Sequence, residues 1–333
     1  PDWPRNDATT WDDHIRAQFR DVFLGGVEAS PAPRARPFAD AFAAYCGTAH
    51  GEMMPHGTDS LMAALTAVLD LDGFRDGGEV ILPNYTFIAT ASATLDRRCS
   101  IAFVDIDLHT RTMDPNAVED AVRPGRTVAI LPVHLGGHPA DMSALREIAD
   151  RHGLHIIEDC AQAHGAEVDG RKVGSLGDAG AFSFQSSKNL TSGEGGAVTT
   201  NDADVWRRVV AFKDCGRHPD GETWSPPRLG GNFRTSEYVA TLLSDRLPEL
   251  EPQTRTRNEN AAYLSGLLDD VPGITPPYVA PYATMHGYHH YMLLYDAARF
   301  GGRSRDEFIR ALNAEGIPAG SGYAQPLADA PQM

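Results

Sequence analysis

The chain has 333 residues, 42% of them hydrophobic and 22% charged, and its 29 basic and 45 acidic side chains give a net charge of −16. Such a length exceeds one small core and predicts two unequal domains, while the acidic balance excludes broad nucleic-acid binding, which needs a basic face. No apolar run reaches the roughly 18 residues of a membrane span, and the start PDWPRNDATTWDD lacks the basic and apolar regions of a signal peptide, so a cytoplasmic protein with no membrane partner is expected.

Residues 1–35 read as an N-terminal segment, and because the chain opens at Pro1 rather than methionine, further residues are expected ahead of it. Apolar runs then alternate with helical patterns, the signature of βα units on a mainly parallel sheet. Asp59 to Leu71 is helix-like and leads to a short strand, Val80 to Leu82. Phe87 to Leu95 repeats that unit with Ile101 to Val104. Val128 to Val133 reads as a buried strand, and Met142 to His152 as an amphipathic helix with Leu145, Ile148 and Ala149 on one face. Leu154 to Ile157, Ala179 to Phe184 and Gly196 to Thr199 are again strand-like. After Arg246 the prolines 248 and 252 are expected to punctuate the chain, with a helix from Glu259 to Leu268 leaving the large domain. A loop with prolines 272, 276, 277 and 281 follows, then a strand-like Tyr291 to Tyr295 and a helical Arg305 to Ala314. The expected organisation is an α/β large domain over 1–250 and a small α+β C-terminal domain over 251–333, short enough to be read as incomplete. Cys46, Cys99, Cys160 and Cys215 form no CxxC pair, which fits a reduced protein with buried thiols.

The chemistry concentrates between Ile156 and Thr200. Asp159 follows an apolar strand, at the edge where open α/β sheets place ligands. Alone, such a carboxylate is more often a helix cap or a structural ion pair. Lys188 follows another apolar strand and precedes a glycine-dense turn (Gly193, Gly195, Gly196) that brings backbone close to a ligand. A lone lysine is usually a solvated charge, but a desolvated amine loses its proton more readily and becomes a nucleophile. Pyridoxal phosphate demands such a pair: a Schiff-base lysine, and an acid that keeps the pyridine nitrogen protonated. Phosphate needs a third element, and Gly57-Thr58-Asp59 stands where a helix begins. Free N–H groups there attract an anion, although a plain N-cap reads equally well. Ser183 and Ser186 offer further hydroxyl donors.

The segments FADAFAAYCG, HGTDSLMAAL, LPNYTFIATASA, FVDID, LPVHLGG, EDCAQAHGA, GDAGAFSFQSSKNL, GEGGAVTT and GGNFRTSE occur in that order between Phe38 and Leu327. In this ordered series the chain resembles the DegT/DnrJ/EryC1/StrS aminotransferases, a fold-type-I pyridoxal-phosphate group acting on keto-sugars and keto-cyclitols. The resemblance implies that Lys188 binds pyridoxal 5'-phosphate covalently and shuttles the proton. It implies that Asp159 pairs with the pyridinium nitrogen and that Gln162 hydrogen-bonds the phenolic oxygen. Phe87 would stack on the ring, with ordinary core packing as the plainer alternative. Thr58, Asp59 and Ser183 would hold the phosphate. Asn232 would reach the cofactor phosphate of a partner subunit, implying a homodimer; from its residues alone GGN reads as a loop.

Three positions depart from the family pattern: His56 stands for the usual serine, Gly136 for a frequent tyrosine, and Thr235 for a methionine. Other chemistries are weaker. The glycines at 174, 177 and 180 are not spaced GxGxxG and precede a strand. His134, His138 and His164 have no HExxH or nearby carboxylate cluster in sequence, so no metal is expected and His164 is taken to line the site. Lys188 itself opposes the dehydratase branch, which carries histidine there, and the set Lys188, Asp159 and Gln162 opposes a pyridoxal-phosphate sensor without turnover. FSFQSSKNLTSGEGG, CGRHPDG and the tryptophan-rich start look closer to the cyclitol and aminohydroxybenzoate branches. The expected reaction moves an amino group from glutamine or glutamate to a keto-cyclitol or related keto-polyol of secondary metabolism, with a nucleotide-linked keto-sugar as the second reading. Arg217, His218, His289 and His290 are candidate substrate residues, each equally readable as a solvated loop position.

Overall fold

The computed structural model describes residues 8–25, 34–71, 76–219, 226–331 and 333. Helices α1 (Ala8–Gly25) and α2 (Ala35–Cys46) precede β1 (His50–Met54). Three βα units follow: α3 (Gly57–Val68) with β2 (Glu79–Pro83), α4 (Ile88–Asp96) with β3 (Ser100–Val104), and α5 (Pro115–Ala121) with β4 (Thr127–Ile130). Helix α6 (Met142–His152) leads to β5 (His155–Asp159) and a small hairpin, β6 (Glu167–Val168) and β7 (Arg171–Lys172). Strands β8 (Ala179–Ser183) and β9 (Gly196–Thr200) flank the lysine loop, and α7 (Ala203–Lys213) follows.

These strands form one seven-stranded sheet in the order β1-β9-β8-β5-β4-β2-β3. The pairs β2–β3, β2–β4, β4–β5 and β5–β8 are parallel, and β9 runs antiparallel to both β8 and β1. Strands covered on both faces read as continuous apolar runs, as the fully buried EVILP of β2 and AGAFS of β8 do. Helix α3 is buried along almost its whole length, from Ser60 to Val68 apart from Met62, which is why its sequence is rich in alanine and leucine. On another part of the core, Phe38 and Phe42 of α2 meet Phe182 and Phe184 edge-on, with centroids 4.8 to 5.6 Å apart. Burying each such ring contributes about 2–3 kcal/mol and fixes β8, which carries the lysine loop.

The prolines at 248 and 252 do not punctuate the chain as their sequence context predicts. Helix α8 (Glu237–Leu268) runs through both for 32 residues. Each proline removes one N–H donor from the helix ladder. The helix persists because Ala240, Leu243, Leu250, Thr254 and Ala261 keep helical spacing on one buried face across the prolines. The helix predicted from Glu259 is therefore only the end of a longer one. Beyond it lie a two-stranded sheet, β10 (Ile274–Thr275) with β11 (Leu294–Tyr295), and α9 (Arg305–Ala314). Strand β11 is shorter than the expected Tyr291 to Tyr295, and Tyr291, outside it, has its hydroxyl 2.9 Å from that of Ser265 on α8.

Cys46, Cys99 and Cys160 are buried, which fits the expected thiols, whereas Cys215 is exposed. Burial pushes the Cys99 thiol up to about 11. Among the described residues no helix is long and apolar enough to cross a membrane.

Candidate active site

Strands β2, β4, β5 and β8 end on one edge of the sheet, and β1 ends there too because two antiparallel pairings restore its direction. The loops leaving that edge build the site, as expected of open α/β sheets. Asp159 is the last residue of β5 and is 5% exposed. Its Oδ2 accepts from the Thr90 hydroxyl at 2.9 Å and its Oδ1 from the Ala161 N–H at 3.1 Å. Burial pushes the Asp159 pKa up, and those two hydrogen bonds and the charge of Lys188 oppose it. Lys188 sits half-buried in the loop between β8 and β9, its backbone N–H bonded to the Gln185 carbonyl at 2.8 Å. Burial lowers the pKa of its amine, and the charge of Asp159 partly restores it. The expected carboxylate and amine thus face one site from neighbouring strands.

The segment expected to meet a phosphate forms the start of α3. His56 is the N-cap residue but makes no side-chain cap; its Nδ1 lies 2.7 Å from Oδ2 of Asp59 instead. The first intrahelical N–H used is that of Ser60, bonded to the His56 carbonyl at 3.0 Å. The N–H groups of Gly57, Thr58 and Asp59 therefore stay open to an anion. Asp59 contributes through its backbone, since its carboxylate is held by His56. Ser183, the end of β8, closes the cradle: a Cβ on Gly57 would stand 2.5 Å from the Ser183 Cβ and 2.9 Å from its Oγ. Only glycine lets the helix start lie against the serine.

Gln162 is also buried here, its Oε1 accepting from the Gly136 N–H at 2.8 Å. Phe87 is 55% exposed, so its ring stands at the edge of the site rather than in the core. Gly136, where a tyrosine is frequent, has φ of 63°, and a Cβ there would run into Met292. A Cβ on Gly137 would stand 2.5 Å from the Tyr288 N. The glycine pair docks the segment 287–292 onto the site, with the Gly287 N–H bonded to the Gly137 carbonyl at 2.8 Å and the His290 N–H to the Gly136 carbonyl at 3.0 Å. His289 and His290 ride on that segment with ring centroids 4.1 Å apart.

Burial, with His290 close by and the charge of Lys188, holds His289 down to about 2. Burial holds His164 down to about 3, aided by the charges of Lys188 and Arg257. His164 is 1% exposed, with both ring nitrogens sealed from solvent. His290 is lowered too, by burial and then by the charge of Lys188, so all three imidazoles feel the charge of the lysine.

Arg217 is held elsewhere, in an ion pair with Asp214 at 3.1 Å. Asp214 also pairs with Arg234 and forms a backbone bridge with Asn232, which is exposed. His218 lies on the same turn; CGRHPDG from Asp220 onwards and Trp3 of the start lie outside the described residues. The remaining group with metal-ligand chemistry among the described residues is His134, Glu158 and Cys160. Its polar atoms satisfy one another: the Ala140 N–H reaches His134 Nδ1, whose Nε2 then donates to Glu158, and Glu158 also accepts from the N–H groups of Gly174, Leu176 and Gly177. This is an internal clamp that fixes the end of β5.

Two contributors escape a reading of the sequence. Thr90 lies in a run of small residues that signals only a helix. Tyr323 comes from beyond α9, and its hydroxyl accepts from Gln162 Nε2 at 2.8 Å.

Residues 10–333 match the sequence profile of the DegT/DnrJ/EryC1/StrS aminotransferase family. The chain belongs to that family. It is 43% identical over 310 residues to an L-glutamine:2-deoxy-scyllo-inosose aminotransferase of Streptoalloteichus tenebrarius, spanning 90% of this chain and 70% of the relative. It is 40% identical over 297 residues to a dTDP-3-amino-3,4,6-trideoxy-alpha-D-glucose transaminase of Streptomyces venezuelae, spanning 89% and 74%. Its fold superimposes on the crystal structure of 3-amino-5-hydroxybenzoic acid synthase with a TM-score of 0.85 at 32% identity, over 97% of this chain and 82% of that one. The protein is an enzyme, an aminotransferase.

Proposed function

We propose that this aminotransferase carries pyridoxal 5'-phosphate on Lys188 and passes an amino group from glutamine to a ketone of a cyclitol. The observation that carries the reading is the opposition of a desolvated amine, Lys188, to a buried carboxylate, Asp159, beside a helix start whose N–H groups are open. The cofactor fits these groups: the close approach of Gly57 to Ser183 sets the serine hydroxyl beside the helix start, and Thr58 and Asp59 add backbone donors for its phosphate. When bound, pyridoxal phosphate supplies the electron sink that makes the donor's Cα–H acidic.

The chain's own residues do the rest. Lys188 Nζ would hold the cofactor and, once free, would take the proton from the donor's Cα and return it. Asp159 holds positive charge on the pyridine nitrogen. Phe87 would cover one ring face and Gln162 would meet the phenolic oxygen. Exposed Asn232 is available to a second copy of the chain, in a homodimer with shared sites.

The unphosphorylated acceptor is supported by His289 and His290, whose lowered pKa values favour neutral rings that offer hydrogen bonds suited to hydroxyl groups rather than cations suited to a diphosphate. The 43% identity to a scyllo-inosose aminotransferase points the same way. A nucleotide-linked keto-sugar stands as the second reading, favoured by the 40% identity to a dTDP-sugar transaminase. Enzyme charged with glutamine, then mixed with cyclitol ketones or nucleotide keto-sugars, decides between them through loss of the pyridoxamine absorbance. Discharge by nucleotide keto-sugars alone would replace the cyclitol assignment, and failure of glutamine to charge the enzyme would remove the donor.

A further inference from the structure

We propose that Tyr323 is a positioning residue that orients the Gln162 amide toward the phenolic edge of the cofactor. The inference rests on the reading of Gln162 given above. An amide side chain has one acceptor oxygen and two N–H donors. The oxygen of Gln162 is committed to the Gly136 N–H at 2.8 Å, which settles which end of the amide is which, because a flipped amide would set donor against donor. One N–H is committed to the Tyr323 hydroxyl at 2.8 Å. Held at both ends by groups 187 positions apart in sequence, the planar amide has one remaining N–H with one direction.

Tyr323 is itself firmly placed. Its ring packs against Tyr85 and Phe87 with centroids 5.4 and 6.3 Å apart. Gly322 lies so close to the Tyr85 hydroxyl that a Cβ would collide with it. Four residues later the segment is tied to the loop after β2: the Leu327 N–H donates to the Asn84 carbonyl at 2.7 Å and the Ala328 N–H to Asn84 Oδ1 at 2.8 Å. Leu327 is buried in the main core. The last described stretch of the chain thereby fixes an amide at the heart of the site. Burial raises the Tyr323 pKa, so the hydroxyl stays neutral and accepts from Gln162.

An N–H donated to the phenolic oxygen stabilises its anion and weakens its hold on the proton shared with the Lys188 linkage. Losing that orientation raises the pH at which the bound cofactor gives up the proton. The experiment is a pH titration of the visible absorbance of holoenzyme carrying Tyr323→Phe, Gln162→Leu, both, or Asn84→Ala. Tyr323→Phe is expected to raise the midpoint by about one pH unit, a tenfold change in protonation ratio. Gln162→Leu should raise it at least as far and the double variant no further, the signature of groups acting in series. Asn84→Ala, which keeps the phenol but loosens its segment, should move the midpoint the same way by less.

A shift for Gln162→Leu with none for Tyr323→Phe overturns the proposal and leaves the role of Gln162 standing. No shift for either removes that role and the proposal with it. Additive shifts would mean that Tyr323 acts by itself, which also overturns the proposal. If Tyr323→Phe fails to fold, Asn84→Ala decides, and an unmoved midpoint there counts against it.

Discussion

The hydroxyl of Thr90 lies 2.9 Å from Oδ2 of Asp159 and donates to it from the first turn of α4, where Thr90 is itself 1% exposed. A carboxylate driven toward its neutral form by burial depends on such donors to stay ionised. Thr90→Val keeps the shape and removes the donor, at a cost of about 1.5–3 kcal/mol for a hydrogen bond to a charged group. The donor half-reaction should slow by about tenfold or more, and the acid limb of its pH profile should move up, with Thr90→Ser restoring both. Single-turnover charging with glutamine across pH checks this. A valine variant whose profile overlays the native one would remove Thr90 from the electrostatics of the site.

Gly57→Ala addresses the phosphate cradle. The added carbon would sit 2.5 Å from the Ser183 Cβ, with backbone of β8 directly behind it. Relief requires the start of α3 to move away from Ser183, and overpacking of this kind costs about 1–3 kcal/mol. The apparent affinity for pyridoxal phosphate should therefore fall by about ten- to a hundredfold. Equilibrium titration of the cofactor-free protein reads the change. Unaltered affinity would place the phosphate elsewhere.

Lys188→Met should abolish covalent attachment of the cofactor and multiple turnover, and should also stabilise the cofactor-free protein. Burial lowers the Lys188 pKa, so the native state holds the charged amine at a cost. The unfolded chain binds more protons than the native one between the lowered pKa and about 10.5. The cost is full below that window and fades as pH rises through it. The advantage of the methionine variant is therefore largest near neutrality and shrinks at alkaline pH, as urea unfolding at several pH values would show. A destabilised variant at pH 7 would contradict the burial assigned to this amine.

Legibility in the sequence follows the range over which each signal acts. Asp159 and Lys188 could be read because each is the residue at or just after an apolar strand, and strand order then brings the two ends together. That a helix begins at Gly57-Thr58-Asp59 could be read for the same local reason. Thr90 and Tyr323 could not, because their partners are 69 and 161 positions away and nothing near either residue in sequence names them. The glycine pair at 136 and 137 is informative only once the segment from 287 to 292 is seen lying on it. The error over α8 is of another kind: two prolines outweighed an apolar stripe of helical period that continues beneath them.

His138 carries the clearest expectation for stability against pH. It is 1% exposed, its Nδ1 donates to the Pro139 carbonyl at 2.7 Å, and its Nε2 accepts from the Ala280 N–H at 3.1 Å. That pattern demands a neutral ring, since a second ring proton would face the Ala280 N–H. Burial holds the His138 pKa down to about 4, against about 6.5 in the unfolded chain. Above the unfolded value neither state binds the proton and the contribution is fully present. Below it the unfolded chain gains the proton while the native ring does not, so stability falls by about 1.4 kcal/mol per pH unit until the native pKa is reached. Urea unfolding of the native protein should weaken steadily between pH 6.5 and 4 on this account. Glutamine at 138 removes the titration, so the difference between the His138→Gln and native proteins should narrow as the solution is acidified. A difference that stays constant with pH would mean that His138 is not held neutral by its two backbone partners.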